Sequence, residues 1–299
     1  FGILIAFLSN YLLEGIGPND WRWMMGVEAF PALAYTAMVF FVPMSPRWLV
    51  SKDRVDEAAS VLQVLGSDLN IDDLVKDHAH SQSVQGLSES VLDKKYRFPL
   101  TLAILLAFFN QFSGINAFLY YAPRIFEAAG LGASTALLSG IGVGVVNLIF
   151  TLIGINLIDR LGRKTLMYWG SFGYIVSLSL VALAFAGSWG GLWVPIFLFL
   201  FIASHAIGQG TVIWVYISEV FPNHLRSSGQ AWGTSTHWVL AAIIPSMVPV
   251  LFTWIGPAPV FGFFALMMGV QLAFVRWMMP ETKGVPLEEL SASLTKSKK

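Results

Sequence analysis

Apolar residues along this chain gather in blocks of about twenty, the length a helix needs to cross the hydrocarbon of a bilayer. Six such blocks cover residues 99–122, 134–157, 165–187, 192–219, 228–254 and 259–279, with short breaks between them. Upstream, Trp21–Pro43 reads as one further span, with Trp21 and Trp23 as interfacial anchors. The opening run, FGILIAFLSNYLL, has only 13 residues. It is expected to be the outer part of a cut helix that leads into a turn at Glu14–Asp20. From Met44 to Phe98 the pattern turns polar. Within that stretch Val55, Ala58, Ala59, Leu62 and Leu65 recur at a helical period, predicting a helix over Lys52–Gly66 with Gly66 as its C-cap. Ile71–His80 and Leu87–Lys94 predict further short helices. The expected regions are therefore 1–43 (a partial and a full span), 44–98 (a helical insert), 99–279 (six spans) and 280–299 (a polar tail that frays at its end).

Composition agrees with the pattern. Hydrophobic residues make up 56% of the 299 positions and charged residues 12%, against about 25% in soluble domains. The mean hydropathy is +0.66. The lipid bilayer is thus the first expected partner. Cysteine is absent, which excludes disulfides, thiolate metal sites and cysteine nucleophiles. A net charge of zero argues against a nucleic-acid partner. No G-K-S/T phosphate loop is present, so nothing supports ATP-driven transport, and no Ser-His-Asp or metal constellation points to an enzyme. His78 and His80 lack nearby ligating partners in sequence, so neither a metal nor a cofactor is expected.

One stretch breaks the apolar rule. Asn110, Gln111, Ser113 and Asn116 place three amides and a hydroxyl at mid-depth in the first of the six blocks. An unpaired polar group in hydrocarbon costs several kcal/mol, so this face is expected to look at protein, water or a polar ligand. Gln111 and Asn116 are five residues apart, about 140° around a regular helix, and cannot share one face. Ser113-Gly114 between them is the expected unwinding point, because glycine tolerates non-helical dihedrals. Gly208-Gln209-Gly210 could break a later block in the same way. Gly140 and Gly144 read as a close-packing face. Glu28, His205 and His237 are ionisable at membrane depth; Glu28 reads as a structural pair, His205 as cavity lining.

Lys and Arg set the orientation. Sixteen fall on one set of loops and only Arg22 and Arg124 on the other. By the positive-inside rule the insert, the tail and the loops near Arg160 and Arg226 are cytoplasmic.

Five segments carry a family resemblance: PMSPRWL at Pro43–Leu49, NQFSGINAFLYY at Asn110–Tyr121, DRLGRK at Asp159–Lys164, WVYISEVFP at Trp214–Pro222 followed by Arg226, and PETKG at Pro280–Gly284. In this order, and on these membrane sides, they resemble the sugar-porter branch of the major facilitator superfamily over almost the whole chain. The resemblance implies an all-α integral membrane fold comprising the end of helix five, helix six, the intracellular helices and the C-terminal six-helix bundle. The missing N-terminal half of the same protein is then an expected partner. It implies secondary transport of a hexose or pentose by alternating access, with proton coupling, in a bacterial inner membrane. A polyol, inositol or disaccharide carrier, and a sugar sensor that binds without transporting, are the alternatives.

The resemblance also implies site residues. Gln111 and Asn116 would bind the sugar, with Asn110 where relatives usually have a second Gln. Asn147, Trp214 and His237 complete the set, His237 standing where relatives have Asn or Gln. Amides suit sugars because each offers donors and acceptors to adjacent hydroxyls, and an indole offers an apolar face to ring C–H groups. Tyr120 and Tyr121 match outer-gate aromatics, and Gly114, Gly208 and Gly210 would serve as hinges. Relatives commonly have Pro where Gln209 and Thr211 stand. Arg47, Asp159, Arg160, Arg163, Lys164, Glu219, Arg226 and Glu281 are expected to form a cytoplasmic charge network. Its pairs are expected to be exposed and weak, about 0–1 kcal/mol each, as suits a gate that opens in every cycle. Met44 departs from the Glu usual in its motif, leaving one acidic partner missing.

Overall fold

The computed structural model of the chain describes residues 1–295 except 68, 77–78, 80–88, 190 and 286. Helix α1 spans Gly2–Leu13. Packing divides the chain into two compact units, Gly15–Ser90 on one side and Phe1–Glu14 with Val91–Lys299 on the other.

In the smaller unit the span expected over Trp21–Pro43 is two helices, α2 (Asp20–Gly26) and α3 (Ala29–Val39). Pro31 explains the interruption. It has no N–H to donate to the carbonyl of Val27, and its ring crowds that carbonyl. Glu28 sits in this turn with its side chain exposed. Helices α4 (Pro46–Ser51) and α5 (Val55–Val64) follow. The expected Lys52–Gly66 helix starts late because Asp53 takes a left-handed turn at φ 58°, and it ends at Val64 with Leu65 as its C-cap, Gly66 turning left-handed at φ 59° just beyond. Ala58 and Leu62 bury against Leu49, Val50 and Leu74 in a small core. Arg54 pairs with Glu57 at 2.5 Å, and its guanidinium also reaches Met44 Sδ at 4.0 Å. Residues 71–76 are helical; the rest of Ile71–His80, with His78 and His80, lies outside the described residues apart from a single position.

The larger unit starts differently from expectation. The described part of Leu87–Lys94 is a turn, not a helix. Asp93 is extended, and its carbonyl accepts from Tyr96 N at 2.9 Å to open a 3-10 turn over Lys94–Tyr96. The bundle then runs α6 (Arg97–Phe112), α7 (Ile115–Ala128), α8 (Ala133–Leu161), α9 (Arg163–Ala186), α10 (Trp193–Ile207), α11 (Gln209–Glu219), α12 (Arg226–Ile255) and α13 (Pro257–Trp277). With the two broken pairs counted as continuous, six helical segments among the described residues are long and apolar enough to cross a membrane. They match the six blocks read from the pattern, with slightly wider ends.

Helix α9 packs along α13 and α10, α6 against α12, and α8 against α10 and α1. The α1–α8 approach uses the small-residue face: a methyl group on Gly144 would lie 2.7 Å from Leu4 Cα. Phe118, Phe126, Phe201, Tyr174 and Tyr216 are fully buried between the helices. The tail is helical over much of its described length, and its last residues, 296–299, where fraying is expected, lie outside the described residues. Helix α14 (Leu287–Thr295) buries Leu290 and Leu294, four residues apart on one face, and packs near α6.

Candidate sugar-binding cluster and cytoplasmic charge cluster

The break between α6 and α7 builds the polar cluster. Gly114 adopts φ 81°, ψ 9°, the left-handed region open to glycine. Ser113 braces the turn: its Oγ donates to the carbonyl of Asn110 at 2.6 Å and accepts from Ile115 N at 3.3 Å. The turn swings Asn116 back toward α6, and Asn116 Nδ2 donates to Gln111 Oε1 at 3.2 Å. Gln111 Nε2 lies 3.1 and 3.0 Å from the two ring nitrogens of His237 on α12, and 3.5 Å from Asn110 Oδ1. The His237 ring tilts at 60° against Trp214 of α11, with centroids 5.0 Å apart.

Gln111, Asn110 and His237 are buried, whereas Trp214 is 42% exposed. The result is a row of uncharged donors and acceptors ending in an indole plate, a chemistry that suits a neutral, polyhydroxylated molecule. The amides satisfy one another here, so ligand hydroxyls would exchange into these bonds. Asn147, half-buried on α8, makes no hydrogen bond to this cluster among the described residues. Tyr121 is non-helical (φ −115°, ψ 15°) two residues before Pro123, which gives α7 a second kink, and Tyr120 is exposed. Gly208 breaks the chain between α10 and α11 at ψ −105°. Gly210 does not take part in that break: it lies inside α11, where a methyl group would come 3.1 Å from the His205 ring.

Where α8 hands over to α9, the end expected to be cytoplasmic, Arg163 grips Glu219 with two bonds, Nη2 to Oε1 at 2.7 Å and Nε to Oε2 at 3.2 Å. Its Nη1 also donates to Asp159 Oδ1 at 3.0 Å. Glu219 accepts from Thr282 Oγ1 at 2.6 Å. Glu281 caps the start of α9, accepting from the backbone N–H groups of Arg163 and Lys164 at 2.9 Å each. Lys283 Nζ donates to the carbonyl of Arg160 at 2.5 Å. The expected network thus contracts. Asp159, Arg163, Glu219 and Glu281 meet, with Thr282 and Lys283 added. Arg160 and Lys164 take part through backbone atoms. Arg47 lies in the other unit. Arg226 holds Nε and Nη2 buried without a partner among the described residues.

The expected weakness is also corrected. The Arg163 side chain is 11% exposed and that of Glu219 18%, so this pair is largely desolvated, while Asp159 at 80% is an ordinary surface partner. Sequence reasoning placed these charges at helix ends but had no signal for their burial. It also missed Ser171, Tyr174, Gln209 and Gln271, which are buried polar side chains inside the bundle. Gln271 stands out in an otherwise apolar block, the same signal that flagged Asn110–Asn116.

The family model described as sugar (and other) transporter matches residues 1–294. A putative metabolite transport protein of Bacillus subtilis is 36% identical over 98% of this chain and 65% of its own length. The D-xylose-proton symporter of Escherichia coli is 32% identical over 98% of this chain and 62% of its own length. The solved structure of the major facilitator proton:xylose symporter XylE bound to 6-bromo-6-deoxy-D-glucose aligns with a TM-score of 0.82 at 29% identity, over 97% of this chain and 64% of that one. The chain therefore spans just under two thirds of these relatives. The six apolar segments among the described residues are those of a multi-pass membrane chain, and both of these relatives are bacterial. By sequence match and by fold, this chain belongs to the sugar (and other) transporter family, with the helices of a major facilitator fold.

Proposed function

We propose that this chain carries one wall of a monosaccharide site and moves a hexose or pentose across the membrane by alternating access, coupled to protons and without a bound cofactor. The observation that carries the reading is the convergence of Gln111 and Asn116 across the Gly114 turn, beside His237 and Trp214. Relatives named as a glucose transporter, a D-xylose-proton symporter and an arabinose-proton symporter support the substrate class and the coupling. In this reading Asn110 and Asn147 extend the wall and Tyr120 and Tyr121 close it from outside. Arg47 and Arg226 each find an acidic partner at the cytoplasmic face in only one of the two states. The remaining third of the relatives' length corresponds to the opposing wall.

Counterflow of labelled D-xylose, L-arabinose and D-glucose into proteoliposomes holding the intact protein tests this. Saturable, sugar-specific accumulation is expected. Saturable binding with no exchange of any monosaccharide would replace the carrier with a sensor.

A further inference from the structure

The break between α10 and α11 is held from one face of α9. Regular helical bonding stops where Gly208 N donates to Ser204 O at 3.0 Å and resumes where Val212 N donates to Gly208 O at 3.1 Å. The carbonyl of Ala206, in the last turn of α10, accepts from Thr211 Oγ1 at 2.6 Å. Against this point α9 presents Gly170, Ser171 and Tyr174, which share one helical face and are all buried.

Each of the three does something different. At Gly170 the backbones nearly touch: a methyl group there would lie 2.8 Å from Gly208 Cα. On the α10 side of the break, the Tyr174 hydroxyl hydrogen-bonds with His205 Nδ1. On the α11 side, Gln209 Nε2 donates to Gln271 Oε1 of α13, and Gln271 Nε2 donates to Ser171 Oγ at 2.7 Å. Ser171, Gln209 and Gln271 are all fully buried.

Polar groups buried among apolar helices are costly unless paired, and these are tied across four helices, although Gln209 Oε1 stays buried without a partner among the described residues. Backbone contact at Gly208 is flanked on both sides by a polar tie. Trp214 stands on α11 five residues beyond Gln209, so any shift of that first turn moves its indole. We propose that Gly170, Ser171 and Tyr174, with Gln271, form a positioning cradle that fixes the Gly208 break and so sets where Trp214 stands in the site. The part concerning Trp214 rests on the monosaccharide reading above; the cradle itself does not.

The test compares the intact protein with Gln271→Leu, Tyr174→Phe and the milder Ser171→Ala. Hydrogen–deuterium exchange is followed for the 208–216 segment and for α12, and binding of D-xylose and D-glucose is followed by tryptophan fluorescence. Stranding one buried polar group should speed exchange in the 208–216 segment by roughly fivefold to a hundredfold, with α12 nearly unchanged, and weaken sugar binding by roughly the same range. Ser171→Ala should show the smaller effect in the same segment, which keeps the test open if Gln271→Leu does not assemble. Unchanged exchange at 208–216, or a rise spread evenly over all spans, overturns the cradle. If the wild-type protein binds no monosaccharide, the monosaccharide reading fails and the exchange pattern alone decides the cradle.

Discussion

Asn116 donates to Gln111 at 3.2 Å although five residues of helix would point the two apart. The single left-handed residue at Gly114 makes that meeting possible.

Gly114→Ala should therefore do two kinds of damage. The left-handed conformation costs a non-glycine residue about 1–2 kcal/mol. The new methyl group would also lie 2.6 Å from the Phe264 ring. A lowered unfolding temperature is expected, together with weaker sugar binding because Asn116 loses its approach to Gln111. Thermal unfolding and sugar titration on the same preparation check both. Adding Phe264→Leu should recover part of the stability and none of the backbone cost.

Glu219→Ala leaves Arg163 largely buried with only exposed Asp159 as a carboxylate partner. Breaking such a pair costs about 3 kcal/mol, the low end of the buried range because both groups keep some exposure. The variant should unfold earlier and should slow exchange across proteoliposomes more than it weakens sugar binding. Unchanged turnover with a raised dissociation constant would remove Glu219 from the gate.

Arg226 keeps two guanidinium nitrogens buried and unpartnered among the described residues. Buried guanidinium nitrogens without partners destabilise the arrangement that holds them. Arg226→Met should therefore leave thermal stability equal or higher while it cuts counterflow, because the charge would find its partner in the other state. Equal counterflow in the variant and the parent would show that Arg226 has no such partner.

How far the pattern of residues reveals the molecule depends on how local the cause is. The six spans were legible because twenty apolar residues suffice to define each. Asn110–Asn116 was legible because amides in hydrocarbon need a reason, and Gly114 supplied a local break. By the same argument Gln271 was legible in its apolar block, but its partners were not: Gln209 and Ser171 lie on other helices, 62 and 100 residues away in sequence. Pro31 carried enough information to split Trp21–Pro43 in two, and hydropathy alone concealed it. Arg163 and Glu219 were placed at the correct ends of their helices. Their burial depends on how α9, α11 and the Pro280–Gly284 segment converge, which no local pattern records. The ordered tail helix follows from Leu290 and Leu294, a two-residue signal too short to outweigh its polar surroundings.

The central claim is that Gln111 and its partners bind a monosaccharide in the course of transport. Counterflow of labelled D-xylose and D-glucose, measured for the intact protein and for Gln111→Leu at matched thermal stability, tests it most directly. The account predicts saturable counterflow in the parent and a half-saturating concentration raised roughly threefold to tenfold in the variant, the range for one lost neutral hydrogen bond. Equal half-saturation and equal rates for the two proteins would contradict it.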